Sequence, residues 1–168
     1  MSRLVEELKV DHLHIKQVLR RAKDFTLTTS ERFEAFITAK VALQNHLDRE
    51  NRELYPVLRH AAQSDPESQS TLETFAKDME TIASQATGFF HKYPNLETVN
   101  SKIEADLNYA VELARDLETL TTLLGLRLGR EEHSLYPVYD RVAEKGIRLA
   151  IELPVQDFGG RLIYIPID

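Results

Sequence analysis

Residues 103–142 read IEADLNYAVELARDLETLTTLLGLRLGREEHSLYPVYDRV, and this stretch decides the fold. Along it Ile103, Leu107, Ala110, Ala114, Leu117, Thr121, Leu124, Leu128, Glu131, Leu135, Val138 and Val142 recur by threes and fours. That period turns one side of an α-helix toward a core, whereas a strand alternates by twos. The stripe predicts a long helix closing at Gly146, a residue suited to the C-terminal cap.

Working outward, three more stripes of the same kind precede it. Leu4, Leu8, His12, Ile15, Leu19 and Ala22 predict a first helix ending near Phe25, and Thr28 with Glu31 makes a capping pair for the next. The second helix is expected over 31–62, with Phe33, Phe36, Leu43, Leu47, Glu50, Leu54 and Val57 on one side. Ser64-Asp65-Pro66-Glu67 ends it and starts a third, striped by Leu72, Phe75, Met79, Ile82, Ala86 and Phe89. Tyr93-Pro94-Asn95 breaks the pattern, because Pro94 keeps Tyr93 out of helical geometry and Asn95 can cap the fourth helix. The expected fold is all-α, an up-down-up-down antiparallel four-helix bundle over residues 1–146. A short C-terminal β-hairpin is expected over 147–168, where Leu149, Ile151, Leu153 and Val155 alternate and Asp157-Phe158-Gly159-Gly160 can turn. That hairpin reads as a flap over one end of the bundle, or as an edge for a homodimer or a protein partner.

A chain of 168 residues that is 42% hydrophobic suits one core of ordinary size. No apolar run approaches the roughly 20 residues of a membrane span, and the N-terminus lacks a secretion-signal core, so the expected location is cytoplasmic, without membrane contact. A net charge of −6 argues against nucleic acid, whose phosphates call for Lys and Arg. With no Cys, any metal has to be held by His, carboxylates or Met.

The second and fourth stripes share more than a period. Arg49-Glu50-Asn51-Arg52-Glu53-Leu54-Tyr55-Pro56-Val57 lines up without gaps on Arg130-Glu131-Glu132-His133-Ser134-Leu135-Tyr136-Pro137-Val138, as a duplicated helical hairpin would. In both copies the shared Glu falls on the core side, where an ionised carboxylate is costly unless paired, hydrogen-bonded or metal-bound. His46 stands one helical turn before Glu50, and antiparallel packing brings His12 to a similar depth. Two imidazoles and carboxylates converging in a bundle suit iron, zinc or manganese. His14, His60 and His133 read as surface residues, His91 lies at the wrong depth, and Glu132 is a fallback carboxylate should the register slip by one. Gly125 and Gly129, inside the fourth stripe, would permit close helix packing or cost some stability.

These residues give the chain a resemblance to the hemerythrin-like, or HHE cation-binding, domains. It rests on Asp11-His12 with Ile15, Val18 and Leu19, on His46-Leu47-Asp48-Arg49-Glu50 leading into Leu54-Tyr55-Pro56, and on Glu131 leading into Leu135-Tyr136-Pro137, and it spans about residues 4–143. The resemblance implies a four-helix bundle holding two irons through histidines and two bridging carboxylates, in proteins that bind or sense oxygen or iron, or handle nitric oxide. Carried over, His12 and His46 would be iron ligands, with Glu50 and Glu131 as bridging carboxylates.

The second half departs from that pattern. Arg127 stands where the alignment calls for a counterpart of His46, and a guanidinium does not ligate a metal. The place on the third helix that corresponds to His12 falls at Asp78 or Met79, of which Met79 is on the core stripe. Arg127 could instead supply in place the positive charge that a metal would have provided, pairing with Glu131 and with Glu50. The expected function is therefore binding or sensing of iron, oxygen or nitric oxide at a reduced mono- or dinuclear site, without catalysis. The alternative is a metal-free regulatory bundle that binds a protein partner.

Overall fold

The computed structural model describes residues 1–144, and every element among them is helical. Helix α1 spans Arg3–Ala22 and α2 Thr29–Arg49; a π-helical turn covers Glu50–Leu54 and leads into α3, Tyr55–Ala61. Helix α4 spans Pro66–Lys92, α5 Leu96–Ala105 and α6 Leu107–Arg130, followed by a second π turn over Glu131–Leu135 and α7 at Tyr136–Glu144.

Side chains that the sequence supplies at the ends set these boundaries. Thr28 and Glu31 form the reciprocal capping box of α2, while Ser2, Asp65 and Asn95 accept the orphan N–H groups of α1, α4 and α5. The end of α1 comes at Ala22, before the expected Phe25, and Arg32 Nε donates to the Ala22 carbonyl at 2.8 Å. Arg32 is itself buried and lies over the exposed Phe25 ring, 4.5 Å from its centre.

The core falls into two apolar clusters. One gathers Ile15 and Leu19 with Phe33, Phe36, Leu43, Ile82, Phe89, Leu117 and Leu124; the other gathers Val5 and Leu8 with Leu54, Leu58, Phe75, Leu135 and Tyr139. The start of α1 thus meets the end of the second helical run, and the last residues of α7 return to it, with Ser2 N–H donating to Asp140 at 2.8 Å. His12 falls between Leu8 and Ile15 on α1, so the gap between the clusters is where buried polar side chains collect.

Three expectations need correction. The second helical run is not continuous, because Pro56 has no N–H and its ring crowds the carbonyl four residues earlier. The chain relaxes by widening one turn, so that Tyr55 N–H reaches back five residues to the Glu50 carbonyl. The fourth run is interrupted twice, at the equivalent π turn before Pro137 and at Asp106, which is extended (φ −146°, ψ 111°) and caps Asn108. The four-helix bundle with a β-hairpin tail is therefore corrected to an all-helical bundle of more numerous segments. No strand occurs among the described residues, and the hairpin expected over 147–168, like the Gly146 cap, lies outside them.

Candidate metal centre

The two π turns set the site. Each begins at the shared Glu and ends one residue before the shared Tyr, so Glu50 and Glu131 enter the core with Tyr55 and Tyr136 close behind. His12, His46, Glu50, Arg127 and Glu131 are all at most 2% exposed. His12 and His46 face each other through their Nε2 atoms at 3.1 Å, and Glu131 Oε2 lies 3.1 Å from His12 Nε2 and 3.7 Å from His46 Nε2. One ligand atom from each of these three lies within 4.8 Å of the others, a spacing that one metal ion can bridge.

Glu50 lies at the rim of this trio rather than within it. Its Oε1 is 3.7 Å from His46 Nε2 and accepts a hydrogen bond from Tyr136 at 3.2 Å, while Tyr136 Oη also stands 2.9 Å from His12 Nε2. Within this layer Glu50 Oε2, Glu131 Oε2 and His46 Nδ1 are buried without a hydrogen bond. Buried polar atoms are nearly always satisfied, so unmatched oxygens beside two facing imidazole nitrogens fit a cation that would satisfy them.

The far sides of the two rings support that fit. His12 Nδ1 donates to Glu132 Oε1 at 2.8 Å, an oxygen that also accepts from Lys16 at 2.6 Å. A carboxylate only accepts, so Nδ1 carries a proton and Nε2 is the ring nitrogen that faces inward. His46 Nδ1 has Asp11 Oδ2 at 3.6 Å, too far for a hydrogen bond, and Asp11 is held by Arg49 at 3.2 Å. A cleft of about 530 Å³ between α1 and α2, lined by Asp11, His14, Ile15, His46 and Arg49, opens toward His46 from outside.

Arg127 occupies the second half of the layer. Its Nε donates to Glu131 Oε1, Nη1 to the Phe75 carbonyl at 2.9 Å and Nη2 to Tyr55 Oη at 3.0 Å, and its plane lies over the Phe75 ring. Met79 lines the same corner, buried among apolar side chains. Arg127, rather than a further His or carboxylate, is thus the group that stands beside Glu131 on this side.

The two carboxyls are driven apart. Burial pushes Glu50 up to about 8, and the charge of Glu131 adds to that rise. Burial also works against the Glu131 charge, but the close approach of His12 and His46 and the Arg127 charge overcome it and hold this carboxyl well below the usual range. The two carboxyls are thus pushed in opposite directions, the usual outcome for two acids sharing one buried site. Tyr136 is pushed far above the ordinary phenol range, first by burial and then by the Glu50 and Glu131 charges.

Of the residues expected at the site, His12, His46 and Glu131 come together and Glu50 lies beside them. Glu132 is not a substitute ligand but the partner of His12 Nδ1, and Tyr136, which the sequence offered only as part of a shared motif, enters the layer. His91, His14 and His133 are exposed, and His133 turns back to the Gly129 carbonyl at 2.6 Å. Gly125 and Gly129 permit no close approach, since an added Cβ at either meets nothing within 4 Å.

No helix of the described residues is long and apolar enough to cross a membrane. No curated protein and no solved structure matches the chain. The family model for the hemerythrin HHE cation binding domain matches residues 3–145, which takes in every helical element from α1 to α7. On that match the chain belongs to the hemerythrin HHE cation-binding domain family.

Proposed function

We propose that this protein binds a single metal cation, iron, in the layer formed by His12, His46 and Glu131, as a carrier or sensor of iron or of a small diatomic ligand rather than as a catalyst. The observation that carries the reading is the convergence of three buried ligand atoms within 4.8 Å, with Glu132 hydrogen-bonded behind His12. Bound iron would supply a Lewis-acidic centre able to take up oxygen or nitric oxide.

The chain's own residues do the rest. Glu132 and Lys16 orient His12, the two apolar clusters exclude water, and the α1–α2 cleft offers a way in. Arg127 neutralises Glu131 from the side that a second ion would otherwise occupy, which supports one ion rather than two.

The test is metal content per chain by mass spectrometry after anaerobic loading with ferrous iron and removal of the excess, on wild type and His46→Ala. The expected result is close to one iron, lost in the variant. Close to two would overturn the role given to Arg127. None in either would leave the metal-free regulatory bundle, a reading favoured by Arg127, whose three nitrogens each donate to a partner, with protein partners as the next search.

A further inference from the structure

Three ligand atoms leave a buried cation short of its usual coordination, and the neighbourhood of His12 Nε2 suggests what completes it. Two donors bound to one ion at about 2.0–2.1 Å stand roughly 2.9 Å apart at a right angle and roughly 3.6 Å apart at 120°. The contacts within the trio are 3.1, 3.1 and 3.7 Å. Tyr136 Oη, 2.9 Å from His12 Nε2, extends the same set of edges, and Glu50 Oε1 lies 3.2 Å beyond it. Tyr136 is itself only 1% exposed, and its ring lies against the His12 ring with centres 5.3 Å apart. The position of its hydroxyl comes from the second π turn, which puts Tyr136 five residues after Glu131, with its N–H on the Glu131 carbonyl. Tyr55, at the matching place in the first π turn, instead accepts from Arg127 Nη2 at 3.0 Å.

We infer that Tyr136 is a direct ligand of the metal, its phenol oxygen completing the His12–His46–Glu131 set, and that this oxygen holds the iron more tightly once it is ferric. The inference rests on the proposed metal-binding function. On binding, the O–H bond breaks, the proton leaves to solvent and the oxygen lone pair goes to the cation, with no change of oxidation state. A phenolate is a hard, anionic oxygen donor, so it favours the trivalent ion over zinc or ferrous iron. Glu50 stays at the rim, as the group against which the phenol oxygen is held.

The experiment loads wild type, Tyr136→Phe and Tyr55→Phe with ferrous iron, lets air oxidise it, removes the excess, and records iron per chain, visible absorption and resonance Raman spectra. Wild type should show a broad phenolate-to-iron band with enhanced tyrosine ring modes, and Tyr55→Phe should keep both. Tyr136→Phe should lose the band and bind ferric iron at least about tenfold more weakly. Wild type holding iron without the band overturns the ligand and leaves the metal-binding function standing. Wild type holding no iron overturns both. The wild-type spectrum decides the matter even if Tyr136→Phe folds poorly.

Discussion

Residues 46–57 and 127–138 run through the same backbone course: the end of an α-helix, a π turn opened by Glu, then Leu, Tyr and Pro starting a new α-helix. Their side chains diverge in chemistry. In the first stretch His46 presents a nitrogen to the layer and Glu50 is buried with one oxygen unmatched. In the second, Arg127 spends its donors on Glu131, the Phe75 carbonyl and Tyr55, and the adjoining corner is filled by Met79. The shared Glu is pushed in opposite directions in the two copies. Burial and the Glu131 charge raise Glu50, whereas the neighbouring His12 and His46 and the Arg127 guanidinium hold Glu131 down.

Breaking the second half should have the largest effect. Arg127→Met leaves Glu131 buried without its counter-charge, and chemical denaturation should show a loss of about 3–5 kcal/mol. His46→Ala, at the matching place, should cost less in the metal-free protein, because it strands no buried charge. If the two variants cost the same, the asymmetry between the halves is wrong. Arg127→His sharpens the comparison in the other direction. It restores an imidazole one turn before Glu131, and iron per chain should rise above the wild-type value, with mass spectrometry as the readout.

A smaller effect is expected from the groups behind the histidines. Glu132→Gln should weaken metal binding roughly ten- to hundredfold, because the amide gives His12 Nδ1 a poorer and less fixed acceptor. Asp11→Asn should do less, since Asp11 stands 3.6 Å from His46 Nδ1, beyond a hydrogen bond; a titration with ferrous iron would rank the two.

Gly129→Ala, within α6 and just before the second π turn, should raise stability by about 0.5–1 kcal/mol, because an added Cβ meets nothing and the unfolded chain loses freedom. A loss would mean that the π turn needs slack in the backbone before it.

The smallest effect lies away from both stretches. Burial works against the Asp116 charge, but hydrogen bonds from Lys92 and Tyr93 hold its carboxyl below the usual range. A lowered native value means stability that is present above the unfolded value of about 4 and lost as pH falls through the native one. The deficit of Asp116→Asn should therefore be under about 1 kcal/mol at neutral pH, for this half-exposed pair, and vanish in acid.

Much of this was legible in the sequence. Spacing by threes and fours gave the helices and their buried faces, because a helix that packs must repeat its apolar side. Thr28, Asp65 and Asn95 marked helix starts, since few side chains can accept a terminal N–H. His12, His46 and Glu131 were found from a core stripe that carried polar residues, and Arg127 from an alignment that put a guanidinium where an imidazole was due. The π turns were not read, although Pro56 and Pro137 were in view, because a helical period tolerates one extra residue over so short a span. Asp106 escaped notice because the stripe continues on both sides of it.

The sequence by itself therefore determined the helices of residues 1–144 and a buried polar layer among them, since both come from the order of apolar and polar residues along a helix. Only the tertiary structure decided which atoms meet. It turned the Nε2 atoms of His12 and His46 toward each other, set Glu132 rather than a fourth ligand behind His12, moved Glu50 to the rim and brought Tyr136 to within 2.9 Å of His12. The reason is that helical spacing fixes the face on which a residue lies to within a turn. Contacts of about 3 Å between side chains from separate elements depend on how those elements pack, and on the one-residue widening that the two π turns add.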